Sequence, residues 1–296
     1  MVELRSLTRK YYDLTDERSA HINKLKGDLH TVFPQYLDVF CDVTGKTSTM
    51  ILRQYGTPDK ILRGHKKTMI EKISKASRKG LAKASERYEK LCAAANAAKT
   101  FGCQIDSIYF NIFLTLDLVE KLDSALDSIL NRIRQLITFN KNEKFIQQIK
   151  LLNTIPGVGF LTAVTIMCEI GDFSAFRNPK QLFAYFGLDP EVNESGKFVG
   201  TQLHMSKRGS RIARRAIFAV ALASIRTKRN GEGINPYLRK YYELKSGQKP
   251  KMVAIGAVMH KVCNIVFAVL RDEKAFELRS PEEHCKQYQR PALAAA

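Results

Sequence analysis

One serine in the C-terminal half of the chain is placed where it could act on a phosphate group. Ser195 is followed by Gly196, whose missing side chain would let a bulky phosphodiester come close. A serine hydroxyl becomes a nucleophile only with help from a base, a metal ion or cations around the reacting group. Such help would have to come from other residues that the fold places near Ser195.

A dense basic segment follows twelve residues later. Its five cations lie within nine residues that contain no acid: Lys207, Arg208, Arg211, Arg214 and Arg215. On a helix that begins near Gly209, positions 208, 211 and 215 would share one face, opposite the apolar Ile217 and Val220. A solvated surface is the ordinary meaning of such charge. The absence of acids nevertheless favours phosphate binding.

A glycine-rich turn precedes both features. In Ile155-Pro-Gly-Val-Gly159, Pro156 fixes its own φ and the two glycines free the backbone just before a helix predicted at 160–170. The pattern resembles a helix-hairpin-helix, in which Gly157 and Gly159 would turn backbone N–H groups toward a nucleic-acid phosphate. The alternative is a tight connection between two packed helices. Residues 189–204 show no sustained period and are predicted to form a loop.

The order of these signals resembles a known family. The matching segments are Leu152-Asn-Thr-Ile-Pro-Gly-Val-Gly159, Glu169-Ile-Gly-Asp172, Ala184-Tyr-Phe-Gly-Leu-Asp-Pro190, Glu194-Ser-Gly196, Ser206-Lys-Arg-Gly209 and Arg214-Arg215. They resemble the C-terminal domain of the insertion-sequence-110 (IS116/IS110/IS902, Piv-like) transposases, which include recombinases guided by a structured bridge RNA. The resemblance covers about residues 149–275.

The resemblance implies a two-part active site. One part is an N-terminal RuvC-like fold with four metal-binding acids, and the other is a domain whose serine attacks DNA and becomes joined to it. Ser195 corresponds to that nucleophile. Ser206 is the competing candidate, but its position before Lys207 suits a helix cap better. The family's acids would hold Mg²⁺, so we expect this ion only when a RuvC-like segment is supplied, and no metal or other cofactor in this chain.

Composition indicates a polyanionic partner. The 296 residues contain 48 Lys and Arg against 29 Asp and Glu, a formal net charge of +19. DNA and a structured guide RNA are the predicted partners, with a membrane surface as the rival. No uninterrupted apolar run reaches the roughly 18 residues of a spanning helix, so we expect a cytoplasmic protein. The six cysteines lack C-x-x-C spacing and do not indicate zinc.

The first helix is predicted to run from Leu4 to Pro34. In the resembling family such a helix closes the RuvC-like domain, and the chain starts at this helix. The strand-rich half with its acids is therefore expected to be missing. Asp13 and Asp16, which could be mistaken for its remnant, are predicted to lie on the solvent side.

Apolar residues seven apart indicate a coiled coil between residues 105 and 137. The two series are Ile105, Ile112, Val119, Leu126 and Ile133, and Ile108, Thr115, Leu122, Ile129 and Leu136. Association into a homo-oligomer is predicted, and an intramolecular helical hairpin is the alternative.

The predicted fold is mostly α, with long helices and a coiled coil followed by a C-terminal helical domain. The predicted domains are residues 1–57 (the helical remnant of a RuvC-like domain), 58–148 (helical and coiled coil), 149–275 (transposase domain) and 276–296 (a loose tail). Two functions fit. One is a transposase or site-specific recombinase, an enzyme by resemblance, and the other is a non-catalytic nucleic-acid-binding derivative that assists an intact relative.

Overall fold

The chain is mostly helical. The structure is a computed structural model and describes residues 1–103, 105–191, 194–195, 198–199 and 204–289. The helices of the first half are α1 (Val2–Val32), α2 (Tyr36–Val39), α3 (Lys46–Gln54), α4 (Pro58–Arg63), α5 (Lys66–Ser77), α6 (Leu81–Phe101) and α7 (Asp106–Thr138). The later helices are α8 (Glu143–Leu152), α9 (Phe160–Ile170), α10 (Pro179–Tyr185), α11 (Arg211–Ile225), α12 (Pro236–Ser246), α13 (Lys251–Asp272) and α14 (Pro281–Gln289).

Local capping chemistry sets several of these boundaries. Thr57, Asn178 and Asn235 each accept a hydrogen bond from the backbone N–H three residues later, and each is followed by a proline at the first helical position. The helices α4, α10 and α12 therefore begin at capping signals that the local sequence contains. The predicted first helix also agrees with α1, in which both Asp13 and Asp16 are exposed.

The chain forms two compact units. Unit 1 contains Met1–Lys10 and Arg132–Ala296, and unit 2 contains Tyr11–Asn131. These divisions differ from the boundaries predicted near residues 57 and 148. The reason is that α1 and α7 are long continuous helices, and each contributes residues to both units.

Unit 2 is built around aromatic and aliphatic side chains from α1 to α7. Tyr36 is fully buried between Phe33 and Phe40, and its hydroxyl lies 2.9 Å from the Ser48 Oγ. Burial raises the pKa of the Tyr36 phenol, so the hydroxyl stays neutral and serves as a hydrogen-bonding group of the core. Arg18 of α1 pairs with Asp123 of α7 within the same unit.

The heptad series of α7 is largely buried within one chain. Ile112, Val119, Leu126 and Ile133 of the first series are at most 8% exposed, whereas Ile105 is 43% exposed. Burial of this seam by the chain itself fits the alternative of an intramolecular helical packing. Association of two chains through this segment stays a prediction.

Unit 1 is organised around α13, which contacts α8, α10, α11 and α12. Its buried residues include Ala254, Val258, Val262 and Val266. Among the described residues, α13 alone is long and apolar enough to cross a membrane by length and composition. Because 56% of the 18 residues in its most apolar stretch are buried inside the structure, α13 also resembles the core helix of a folded protein.

Candidate nucleic-acid interface

The glycine-rich turn joins α8 to α9. Gly157 adopts φ +94°, and a Cβ there would lie 3.0 Å from the Ser224 Oγ, which donates a hydrogen bond to the Pro156 carbonyl at 3.0 Å. Gly157 therefore fixes the packing of the turn on α11. Gly159 is the N-cap residue of α9, and a Cβ there would meet nothing within 4 Å. The two glycines predicted to bind phosphate thus have different surroundings, packed at 157 and open at 159.

Thr154 lies just before this turn and bonds to the end of α8. Its hydroxyl donates to the Leu151 carbonyl at 2.6 Å and accepts from the Phe276 N–H at 2.8 Å. Its role is to tie the chain after α13 to the end of α8.

Two backbone segments of unit 1 cross at Gly187 and Gly209. A Cβ on Gly209 would lie 2.0 Å from the Tyr185 carbonyl oxygen and 2.7 Å from the Gly187 nitrogen. Gly187 adopts φ +65°, and a Cβ there would lie 2.4 Å from the Gly209 nitrogen. Only glycine allows backbone to approach backbone this closely. The crossing places the Ser206–Gly209 turn directly against the end of α10.

Three hydrogen bonds next to the crossing join the chain before and after the segment that contains Ser195. The Ser206 hydroxyl donates to the Asp189 carboxylate at 2.6 Å, and the Ser206 N–H donates to the Asp189 carbonyl at 2.8 Å. The Glu191 N–H donates to the His204 carbonyl at 2.7 Å. We call residues 189–191 and 204–206 the clasp.

The expectation that Ser206 caps a helix is wrong. The N-cap of α11 is Ser210, whose Oγ accepts from the Ala213 N–H at 3.2 Å. Ser206 lies too far before the helix to reach its first N–H groups, and its hydroxyl is engaged by Asp189.

The five predicted cations have distinct surroundings. Lys207 and Arg208 are exposed in the turn before α11, so Arg208 is not on the helical face that it was predicted to share with Arg211 and Arg215. Lys207 adopts φ +54°, a left-handed conformation that is uncommon for a residue with a side chain. Arg211 is exposed and Arg215 half-buried, one turn apart on α11.

Arg214 points into the turn. Its Nη1 donates to three carbonyls, those of Phe186, Lys207 and Gly209, at 3.2, 3.1 and 2.6 Å. Burial lowers the pKa of this guanidinium, yet arginine stays charged in proteins. Arg214 therefore stabilises the crossing, while Lys207 and Arg208 are exposed.

Ser195 lies in a short antiparallel pairing. Strands β1 (Glu194–Ser195) and β2 (Phe198–Val199) pair with Ser195 opposite Phe198, and Pro190 forms an isolated bridge with Met205. The predicted loop therefore contains paired backbone. The hydroxyl of Ser195, like Gly196, lies outside the described part of the structure.

Glu169 belongs to one of the matching sequence segments, but the sequence assigned it no role. Its carboxylate is 2% exposed and accepts two hydrogen bonds from Arg9, at 2.8 and 2.9 Å. Burial opposes its ionisation, but hydrogen bonds from Arg9 and from Ser210, the N-cap of α11, outweigh this and lower the pKa of Glu169. The signal in the sequence was a single acid at the end of the apolar run 160–170.

The described residues offer no group of three or more His, Cys, Asp and Glu side chains that could hold a metal ion. The clasp contains two carboxylates, Asp189 and Glu191, and Glu169 is already paired with an arginine. The described residues of this region therefore do not form an Mg²⁺ site.

Comparison with known proteins gives these features a context. Residues 149–243 match the model of the Transposase IS116/IS110/IS902 family. The chain is 30% identical over 177 residues to a pilin gene-inverting protein of Moraxella bovis, covering 60% of this chain and 52% of that protein. It is 24% identical over 282 residues to a 43.6 kDa protein of insertion element IS110 from Streptomyces coelicolor, covering 94% of this chain and 65% of that protein.

A third relative is the transposase for insertion sequence element IS1111A from Coxiella burnetii, 26% identical over 188 residues, which cover 62% of this chain and 50% of that protein. The chain thus spans about half to two thirds of the length of these relatives. The matched region contains the glycine-rich turn, the crossing, the clasp and α11. Over residues 149–243, this chain therefore resembles the IS116/IS110/IS902 transposase family.

Proposed function

We propose that this chain acts in DNA strand exchange as a transposase or site-specific recombinase of an insertion element, with Ser195 as the nucleophile. The observation that carries the proposal is the clasp. Its hydrogen bonds join the two ends of the segment that contains Ser195. Ser206 belongs to the clasp and is also the first residue of the Ser206–Gly209 turn, which contains Lys207 and Arg208. The segment that contains the candidate nucleophile and the turn that contains the candidate phosphate ligands are thereby both connected to the clasp.

The proposed chemistry is a transesterification at a DNA phosphodiester. The Ser195 oxygen attacks a DNA phosphorus, a serine–phosphate ester forms, the bond to the neighbouring deoxyribose oxygen breaks, and that oxygen leaves with a proton. Cations stabilise the negative charge that grows on the phosphate during this step. Lys207, Arg208 and Arg211 suit this role because they are exposed, whereas Arg214 is engaged in the turn.

Mg²⁺, held by acids of a RuvC-like segment, belongs to this proposal because it would assist deprotonation of the serine. The described residues of this chain do not form such a site. We further propose that a structured RNA guides the protein, that copies associate through residues 105–137, and that the protein works in the cytoplasm. The family resemblance supports these points.

The decisive experiment is covalent capture. The protein is mixed with labelled target DNA, a guide RNA, Mg²⁺ and an intact relative that supplies a RuvC-like segment, and the products are separated under denaturing conditions. We expect a protein–DNA adduct with the wild type and none with Ser195→Ala. Peptide mapping should place the DNA on Ser195.

Each other outcome has a definite meaning. An adduct that persists in Ser195→Ala and disappears in Ser206→Ala would move the nucleophile to Ser206. Efficient cleavage by this chain alone without metal would refute the divided active site. Tight binding without any adduct would favour a non-catalytic derivative that assists an intact transposase.

DNA binding is tested separately. Changing Arg208, Arg211 and Arg215 to alanine should weaken DNA binding and reduce its dependence on salt, because each lost phosphate contact releases about one counterion fewer. The matched control changes Lys144, Lys150 and Lys274, three exposed lysines of the same unit, and removes the same total charge. Equal binding by both variants would show that the basic residues near α11 are only a solvated surface.

A further inference from the structure

A second concentration of positive charge lies in unit 2, around the turn between α5 and α6. Residues 72–85 contain no acid and five cations: Lys72, Lys75, Arg78, Lys79 and Lys83. All but Lys72, which lies over the Tyr55 ring, are exposed. Within the described parts of the chain, these four exposed cations form no ion pair. We call Lys75, Arg78, Lys79 and Lys83 the α5–α6 patch.

The turn between α5 and α6 has the same residue pattern as the Ser206–Gly209 turn of the candidate interface. Ser77-Arg-Lys-Gly80 has the order serine, cation, cation, glycine, as does Ser206-Lys-Arg-Gly209 in unit 1. In both, the first cation has a left-handed backbone, with φ +53° at Arg78 and +54° at Lys207. Each turn is followed within two residues by a long helix. The family match covers only the turn in unit 1.

The α5–α6 turn is well defined by hydrogen bonds. The Ser74 hydroxyl donates to the Lys79 carbonyl at 2.8 Å, and the Lys79 N–H donates to the Ser77 Oγ at 3.3 Å. The cations of the patch are therefore displayed from a fixed backbone, which lowers the entropy that is lost when they bind a ligand.

Other lysines of the same helices have acidic partners. Lys66 lies 3.9 Å from Glu89, Lys90 lies 2.7 Å from Glu86, and Lys99 lies 2.7 Å from Asp59. Charge in this part of unit 2 is thus divided between neutralised pairs and the patch, whose cations form no ion pair with the described residues although the charge of Lys83 helps to lower the pKa of Glu86. An acid-free cluster next to paired lysines indicates an anionic partner that is not part of this chain.

We propose that the α5–α6 patch is a second nucleic-acid contact, which binds the phosphate backbone of duplex DNA independently of Ser195 and of the cations near α11. Residues 74–83 contain no aromatic side chain on which a base could stack, which argues against a single-stranded ligand. Lysine and arginine without such a platform suit sequence-independent contacts to a duplex backbone. We choose DNA because the proposed function acts on DNA.

The test compares two variants of equal net charge. The patch variant carries Lys75→Ala, Arg78→Gly and Lys79→Ala, and glycine at 78 suits the left-handed backbone. The control carries Lys66→Ala, Lys90→Ala and Lys99→Ala. Binding of the full chain to a duplex of about 40 base pairs is measured from 50 to 300 mM salt by fluorescence anisotropy, and urea unfolding verifies that both variants are folded.

We expect the patch variant to bind DNA about tenfold or more weakly near 0.1 M salt, with the slope of log K against log salt reduced by about 2–3. The control should lose clearly less. Combined with the Arg208, Arg211 and Arg215 variant, the losses should multiply, because phosphate contacts that act independently contribute additively to the free energy of binding.

Two results would overturn the proposal. A patch variant that binds DNA like the control would show that the patch is a solvated surface. Loss of binding to structured RNA with DNA binding intact would assign the patch to RNA instead. Covalent capture at Ser195, measured on the same variants, reports on the proposed function separately, since an adduct can form whether or not the patch contributes affinity.

Discussion

The crossing of Gly187 and Gly209 gives the sharpest quantitative prediction. Gly209→Ala would place a Cβ 2.0, 2.6 and 2.7 Å from the Tyr185 oxygen, the Phe186 carbonyl carbon and the Gly187 nitrogen. All three are backbone atoms, so no flexible side chain can move away. One of the two segments must shift, and the hydrogen bonds from Arg214 that join them must lengthen.

The cost follows from these distances. Overpacking a tight site typically costs about 1–3 kcal/mol, and displacement of backbone on both sides puts this substitution at about 3 kcal/mol or more. With a urea dependence of about 2 kcal/mol per molar, the unfolding midpoint should fall by roughly 1.5 M. DNA binding should weaken too, because Lys207 and Arg208 are held by the same crossing.

Gly256→Ala is the matched control in the same unit. Gly256 lies inside α13, and a Cβ there would meet nothing within 4 Å. Alanine is favoured over glycine in a helix by about 0.5–1 kcal/mol, so this variant should be slightly more stable than the wild type. Circular dichroism at 222 nm during urea unfolding measures both, and equal midpoints for Gly209→Ala and the wild type would refute the close crossing.

Three further predictions concern other parts of the chain. Because the pKa of Glu169 is lowered in the fold, the ionised side chain stabilises the protein above the unfolded pKa of about 4.3, and this stabilisation is lost as the pH falls below that value. Between pH 7 and pH 3, the urea midpoint should therefore fall further in the wild type than in Glu169→Gln. Parallel curves of midpoint against pH would contradict this prediction. Burial raises the pKa of Cys168 to about 11, so a thiol reagent at pH 8 should label the exposed Cys41, Cys103 and Cys285 in the native protein and reach Cys168 and Cys263 only after unfolding, as mass spectrometry would show. Association through α7 would use its exposed Phe110, Leu114 and Leu118, which are 67%, 48% and 37% exposed. Changing them to serine should lower the mass measured by light scattering at high concentration. A wild type that is already monomeric would contradict the prediction.

Local sequence was sufficient for features whose stabilising partner lies a few residues away. Asn178 with Pro179 and Asn235 with Pro236 start helices because the side chain bonds to an N–H three residues later. The apolar run 160–170 and its end at Gly171, with φ +75°, were readable for the same reason. The order of short motifs was also sufficient to indicate the family that the comparisons support.

Periodicity alone could not decide what the heptads of α7 contact. A buried seam has the same spacing whether its partner is a helix of the same chain or of another copy. The structure buries Ile112 and Val119 within unit 2, and the spacing contained no information on that choice.

Tertiary structure also decided the roles of individual site residues. Arg214 and Arg211 were both among the five cations predicted to bind phosphate, yet Arg214 donates to three carbonyls whereas Arg211 is exposed. Ser206 was assigned to a cap because Asp189, 17 residues away, could not be recognised as its partner. Gly209 was predicted to lie near the start of a helix, and only the structure shows that the backbone of Tyr185 and Gly187 excludes a side chain there. In each case the determining contact joins residues distant in sequence, and only the folded chain brings them within hydrogen-bond or van der Waals distance.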